Sequence, residues 1–444
     1  MSVQTKGVPD SYASAYRKID LRVLAFLALC YCVAYIDRVN VGFAKLQMQH
    51  ELGLSDAAYG LGAGIFFLGY VLVEVPSNML LVRVGARLTL SRIMVLWGLT
   101  SAATCLVSDA NTFYALRFLL GLFEAGFAPG LIYFLTRWYP RQRMGRAMAM
   151  LMWALPVASI VGGVVSGAII EHFSGLAGLS GWRWMFLLEG MPALVLGVIT
   201  WASLSDAPEL AGWLTHDEKQ AVATALAQRH PEPAPRAALR RVMRDARVWR
   251  LALTYFGLIS GIYAVGFWLP TILKSAGVRG YTEIGLYSAV PYLFTIVVTY
   301  LVGRRSDRQG ERQAHAALST AVGAAGLVVG AHFADQFGLA LAAISVATAG
   351  MYTGYTVFWA IPADYFAEQD AAVGIAFINT LGLFGGFVSP TLIGWVTSAS
   401  GSSEAGFLTI AVLLVASAIV LATRPAGDVR VAAGASVAQV RRMR

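Results

Sequence analysis

Charge is what this sequence has least of. Asp, Glu, Lys and Arg make up only 13% of the 444 residues, against 57% hydrophobic, and the mean hydropathy is +0.63. A water-soluble domain carries about 25% charged residues, so most of this surface is not built to face solvent. Cysteine is nearly absent. Cys30, Cys32 and Cys105 all fall in apolar runs, which excludes a disulfide framework and leaves packing as their simplest use. The histidines form no pair at a metal-ligand spacing, so neither a metal nor a cofactor is expected. No Gly-x-Ser-x-Gly elbow, His-Glu-x-x-His pair or phosphate loop is present, which removes the common enzyme chemistries. The first twenty residues are polar and no small-residue cleavage site follows, so a cleavable signal peptide is not expected.

What the chain does have is long apolar runs. Crossing the hydrocarbon layer takes about 20 residues of helix. Uncharged runs cover 147–170, 251–273, 284–303, 336–363, 371–403 and 405–423, and runs with one or two charges cover roughly 21–45, 57–80, 88–107, 112–136, 184–204 and 313–334. These predict an all-α membrane protein of twelve transmembrane helices. The expected organisation is a cytoplasmic N-terminal segment (1–20), a six-helix bundle (21–204), a cytoplasmic linker (205–250), a second six-helix bundle (251–422) and a basic tail (423–444).

Basic residues set the expected orientation. Of the 34 Lys and Arg, all but Lys45, Arg183, Lys274, Arg279, Arg38 and Arg117 fall in the even-numbered connections and the two termini. The positive-inside rule then puts both termini in the cytoplasm. The net charge of +9 needs no nucleic acid; loops facing anionic lipid account for it.

The linker opens with Thr215 and Glu218 three positions on, a capping box for a short soluble helix. "PEPAP" (231–235) stops it. Arg236, Arg240, Arg244 and Arg247 follow at helical spacing and read as a basic amphipathic helix on the membrane surface.

The two halves carry matching fragments. "GRRSDRQGER" (303–312) falls on "NMLLVRVGAR" (78–87) at a shift of 225, pairing Arg83 with Arg308, Gly85 with Gly310 and Arg87 with Arg312. "GGVVSG" (162–167) falls on "GGFVSP" (385–390) at a shift of 223. Duplicated, pseudo-symmetric bundles are the build of secondary transporters.

"GRRSDRQGER" resembles the signature loop of the major facilitator superfamily (MFS), although Glu311 stands at a usually basic position and Val82 replaces the Asp in the first half. Within that superfamily, "YIDRVNVGFA", "GYVLVEVPSN", "RFLLGLFEAGFAPG", "GWRWMFLLEG" and "AFINTLGLFGGFVSP" resemble the anion:cation symporter family, whose members carry sugar acids, tartrate and aromatic acids. The resemblance covers nearly all spans. It implies a bacterial inner-membrane carrier, working as a monomer, that moves a small organic anion together with protons by alternating access.

Charges inside the apolar runs are few. An ionised residue at the bilayer centre costs roughly 2.5–3.5 kcal/mol even on the insertion scale. Asp37, Arg38, Glu74, Arg117 and Glu124 are such residues, with Glu189 nearer a span end, and all lie in the first half. Arg117 and Glu124 are seven apart and share a helix face about 10.5 Å along the axis, with Gly121 between them. Asp37 and Arg38 diverge by about 100° and cannot point the same way. A guanidinium moving toward or away from a buried carboxylate changes that group's hold on its proton, and arginine is also the natural clamp for an anionic substrate.

The resemblance assigns proton coupling to Asp37 and Glu124 and anion binding to Arg38 and Arg117. Tyr35, Tyr70, Trp359 and Asn379 match its cavity-lining positions. Gly303, Asp307, Arg308, Gly310, Arg83 and Arg87 match its conformational-gating loops. Bland readings stand beside these. Asp37 with Arg117, or Glu124 with Arg38, would serve equally as static packing pairs. Glu74 is expected to support the signature loop, and Glu189 to meet Arg183 at the outer boundary. A proton-driven exporter lacks its expected Gly-Pro before the double Gly of span five, where Pro156 is preceded by Leu155. A transporter-like sensor would share the same ligand site and differs only in flux.

Overall fold

The computed structural model describes residues 10–227, 235–366 and 368–423. Most of "PEPAP" and the tail from 424 onward lie outside these. Twelve helices are long and apolar enough to cross a membrane. Spans one to six are Ser11–Glu51, Asp56–Val84, Ala86–Leu106, Ala110–Trp138, Arg141–Phe173 and Gly181–Ser203. Spans seven to twelve are Ala246–Ser275, Tyr281–Gln309, Arg312–His332, Phe337–Pro362, Val373–Ser400 and Ser403–Ala422.

The packing repeats with a period of six spans. In the first half, span one packs on five and six, two on four, and three on four and six. In the second half, seven packs on eleven and twelve, eight on ten, and nine on ten and twelve. The halves meet through two and eleven on one side and through five and eight on the other. Large apolar side chains left outside this packing, such as Leu72, Val195, Val198, Leu293, Val297, Val412 and Ile419, are exposed, as a lipid-facing surface requires.

The matched glycine pairs obey the same symmetry. Gly162 rests on Ile36 of span one, while its neighbour Gly163 faces the Gly285 backbone of span eight. In the second half, Gly385 rests on Phe256 of span seven and Gly386 faces Phe67 of span two. The first glycine of each pair packs within its own bundle, and the second faces the other bundle.

Call the face holding the residue 205–250 connection the linker side and the opposite face the far side. On the far side the halves are sealed. A Cβ on Gly60 would overlap the carbonyl oxygen of Pro390, one on Gly394 that of Asp56, and one on Gly167 that of Tyr281. Polar contacts reinforce the seal. Lys45 pairs with Asp56 at 2.8 Å and lies 3.4 Å over the ring of Trp268. Lys274 donates to the Leu46 carbonyl at 3.2 Å, and Glu171 accepts from the Thr282 amide at 2.6 Å.

Span one is longer than its apolar core because its first turns serve the linker. The linker helix His216–Leu226 opens with the expected capping box, Thr215 and Glu218 satisfying each other's amides. Glu218 also accepts from Ser14 at 2.7 Å and from Lys18 at 2.8 Å. Burial alone would raise its pKa; the Lys18 ammonium, the Thr215 amide and the Ser14 hydroxyl outweigh that and hold it down to about 2. Trp213 stacks on Trp138 beside them. The basic helix is shorter than expected. It stops at Arg244, and Asp245 caps span seven through the Arg247 amide at 2.9 Å. Arg250 therefore belongs to span seven, where it donates to the Val420 and Thr423 carbonyls at the end of span twelve.

Candidate functional site

Two spans at corresponding positions in the halves are interrupted. Span four breaks at Ala125–Gly126, immediately after Glu124, and span ten loses its regular pattern at Trp359. Gly126 takes φ +87°, and a Cβ there would meet Ser77 at 2.7 Å, so both backbone shape and space require glycine. Paired interruptions of this kind mark the substrate region of repeat-built carriers. Span one is also interrupted, at Asn40, beside the adjacent acid and base.

Arg38 occupies the centre. Its guanidinium contacts the Glu124 carboxylate of span four and donates to the Tyr263 hydroxyl of span seven at 3.1 Å. It lies over the rings of Phe66 and Tyr70 of span two at 5.3 and 5.4 Å. One side chain thus joins three spans of the first half to the second. Glu124 keeps one oxygen, Oε2, without a partner.

Arg117 is fully buried but does not join this pair. Among the described residues its one hydrogen bond runs to the Ala63 carbonyl at 3.5 Å, it shares the Phe66 ring with Arg38, and its Nε and Nη1 have no partner. The space at Gly121 is filled by the neighbouring helix, since a Cβ there would overlap the Phe66 carbonyl.

Asp37 points the other way, as the 100° separation demands. It accepts from Trp97 at 2.8 Å and Ser101 at 2.7 Å, both of span three, and from Asn40 at 3.4 Å. It makes no hydrogen bond to either arginine. Asn40 in turn donates to Glu189 at 3.0 Å, and Glu189 also accepts from Ser166 at 2.7 Å. The expected Glu189–Arg183 contact is not formed. Six residues turn a helix by about 240°, so the two leave it about 120° apart; Arg183 reaches Glu51 at 3.0 Å and the Cys105 carbonyl instead.

The remaining expected cavity residues form two groups. Tyr35 shares a hydrogen bond with Tyr352 of span ten at 2.8 Å. Asn379 of span eleven donates to Glu74 at 3.3 Å and accepts from Tyr255 at 3.4 Å, with Trp359 set edge-on against Tyr255. Glu74 therefore bonds across the halves and not to the signature loop, and Tyr70 sits one turn before it. The residues expected to gate lie at the linker side. Gly85 and Gly310, matched by the internal repeat, both take positive φ at a helix end. The Arg87 amide donates to Asp206 at 2.8 Å, and Arg312 donates to the Ala360 carbonyl at 3.2 Å. Arg83, Asp307 and Arg308 are exposed, and Gly303 is half-buried in span eight. Trp97, Ser101, Asn40, Ser166 and Tyr263 carry no charge, so the scarcity of charge that exposed the other site residues gave no sign of them. Among the described residues no cluster of His, Cys, Asp and Glu could hold a metal.

Comparison with known proteins agrees with this architecture. A family model described as Major Facilitator Superfamily matches residues 27–390, with a second match over 282–441. A protein of Agrobacterium vitis named "Putative tartrate transporter" is 42% identical over 92% of this chain and 91% of its own. A "Quinolone resistance transporter" of Acinetobacter baumannii is 38% identical over 91% of this chain and 94% of its own. A solved bacterial homolog of the human lysosomal transporter Spinster shares the fold, with a TM-score of 0.72 at 18% identity over 94% of this chain and 95% of that one. Twelve spans in two matched halves, broken at corresponding helices around buried charge, are those of a membrane transporter and not an enzyme, and the chain belongs to the Major Facilitator Superfamily.

Proposed function

We propose that this transporter takes up a small organic anion, a carboxylic acid such as tartrate or a related hydroxy or sugar acid, together with protons. The observation that carries the reading is the position of Arg38, held by Glu124 in one half and by Tyr263 in the other. A substrate carboxylate entering here competes with Glu124 for the guanidinium. As it does so, Glu124 loses its counter-charge and favours its protonated form. Anion binding and proton uptake are then one event. Arg117, with two nitrogens unpartnered and two turns from Glu124, supplies a second positive centre once Phe66 moves aside. Asp37 is the second carboxyl of the proton pathway. Tyr35, Tyr70, Trp359 and Asn379 give the cavity its neutral contacts. In this reading the protein works as a monomer in the bacterial inner membrane, both termini face the cytoplasm, and the exposed Asp307 and Arg308 in the last turns of span eight, with Arg83, Arg87, Gly303 and Gly310, gate the linker side.

The test is flux. Purified protein in liposomes is given labelled tartrate and a panel of other acids, with and without an imposed pH gradient. Accumulation that follows the gradient is expected, and Glu124→Gln should lose accumulation while keeping exchange of label across the membrane. Solute entry indifferent to acidification would overturn the reading. A proton-driven exporter is the second reading, favoured by the relative named for quinolone resistance; in the same liposomes it would expel a loaded quinolone. Arginines buried in pairs suit an anion better than a lipophilic cation.

A further inference from the structure

Spans one to six bury four carboxyl groups, Asp37, Glu74, Glu124 and Glu189, against two guanidinium groups, Arg38 and Arg117; the buried Lys45 is taken by Asp56. Arg38 is taken by Glu124. Glu74 meets Asn379 and Glu189 meets Asn40 and Ser166, with no cation in hydrogen-bond contact with either. A dry interior does not hold two unbalanced negative charges, so protons must make up the difference.

The geometry fixes where one of them sits. Asp37 Oδ1 and Glu189 Oε2 share a single nitrogen, Asn40 Nδ2. Two buried carboxylates bridged by one amide nitrogen repel each other, and a proton on either relieves that repulsion. Each carboxyl has a serine hydroxyl at 2.7 Å, Ser101 on Asp37 Oδ1 and Ser166 on Glu189 Oε1, but Asp37 has one neighbour more. Its Oδ2 faces the indole N–H of Trp97, which can only donate, so Asp37 is held as the ionised acceptor. Glu189 Oε1 faces the Ser166 hydroxyl at 2.7 Å, which can accept a proton as readily as donate one. Asn40 is 1% exposed and its Oδ1 has no partner. A half-turn of the amide presents that oxygen to a protonated carboxyl, so the bridge serves either state. The charged groups acting on the pair from the surrounding helices are Arg117 and Glu124 of span four.

We infer that Asp37 and Glu189, bridged by Asn40, form a second carboxyl pair holding a single proton on Glu189, separate from the Arg38–Glu124 pair. Glu189 is then a third proton-carrying residue. Its use in coupling rests on the proton-symport reading above; its protonation does not.

Infrared difference spectra of the full-length protein in liposomes, recorded without solute as the bulk pH is raised, test this directly. Wild type should show protonated-carboxyl carbonyl absorption at neutral pH with a component that Glu189→Gln removes and Glu189→Asp retains. Ser166→Ala leaves both carboxyls in place and should shift the frequency of that band, which keeps the test alive if Glu189→Gln does not reconstitute. Absorption undiminished in Glu189→Gln, or unshifted in Ser166→Ala, overturns the inference. No solute is added, so a failure of tartrate uptake sinks the anion reading without touching this result.

Discussion

The guanidinium of Arg38 joins Glu124 in its own half of the chain to Tyr263 in the other half. It is both a charge partner inside one bundle and a contact between bundles. Removing it leaves a buried carboxylate without its counter-charge.

Arg38→Ala should therefore destabilise the protein by about 3–5 kcal/mol, the usual result of stranding one member of a buried pair. Arg38→Ala combined with Glu124→Gln should recover most of that loss. Thermal unfolding of the detergent-purified variants measures both. A double variant no more stable than the single one would show that the pair is not a unit.

Gly126→Ala should cost about 1–3 kcal/mol, because a side chain at φ +87° is strained and its Cβ meets Ser77. Adding Ser77→Gly should relieve the clash and leave the backbone strain, giving partial recovery in the same melting assay. Full-strength melting of Gly126→Ala would mean that the break after Glu124 is not a fixed feature.

The Glu218 clamp gives a pH dependence of known sign. Its folded pKa lies near 2, below the unfolded value of about 4.3. The stabilisation is complete above the unfolded value and is lost as pH falls from there through the folded one. The stability difference between wild type and Glu218→Gln should shrink across that window and be constant above it. Hydrogen exchange of the first turns of span one reads it; a difference that grew on acidification would contradict the assignment.

Lys45→Met removes the ion pair with Asp56 and the cation held over Trp268. In a background with the three native cysteines replaced, a reporter cysteine at Glu171 should react several-fold faster with a hydrophilic thiol reagent in the Lys45→Met protein. Equal rates would place the strength of the far-side seal in its glycine contacts alone.

Much of this was legible in the sequence because hydrocarbon leaves few options. Apolar length marked the twelve spans, and a charge inside one of them marked Asp37, Arg38, Glu74, Arg117 and Glu124. The glycine pairs at 162 and 385 were visible as a repeat. The pairings were harder. The adjacency of Asp37 and Arg38 showed that they diverge but not which one meets Glu124. Glu189 is expected at Arg183 because both sit in one motif, whereas helix rotation sends them about 120° apart. Asn40, Trp97 and Ser166 are neutral and short-range signals do not reveal which distant carboxyl they serve. The basic linker helix was drawn too long because arginine spacing continues past Asp245, whose side chain ends the run by capping the next helix.

Gly163 and Gly386 bring backbone against the opposite bundle where a side chain would otherwise stand. Where Gly60, Gly167 and Gly394 meet backbone carbonyls of the other bundle, the contact has no rotamer to flip. Parting the far side must then be a tilt of whole helices that separates both seams at once, and one methyl added at Gly60, Gly167 or Gly394 would wedge them ajar.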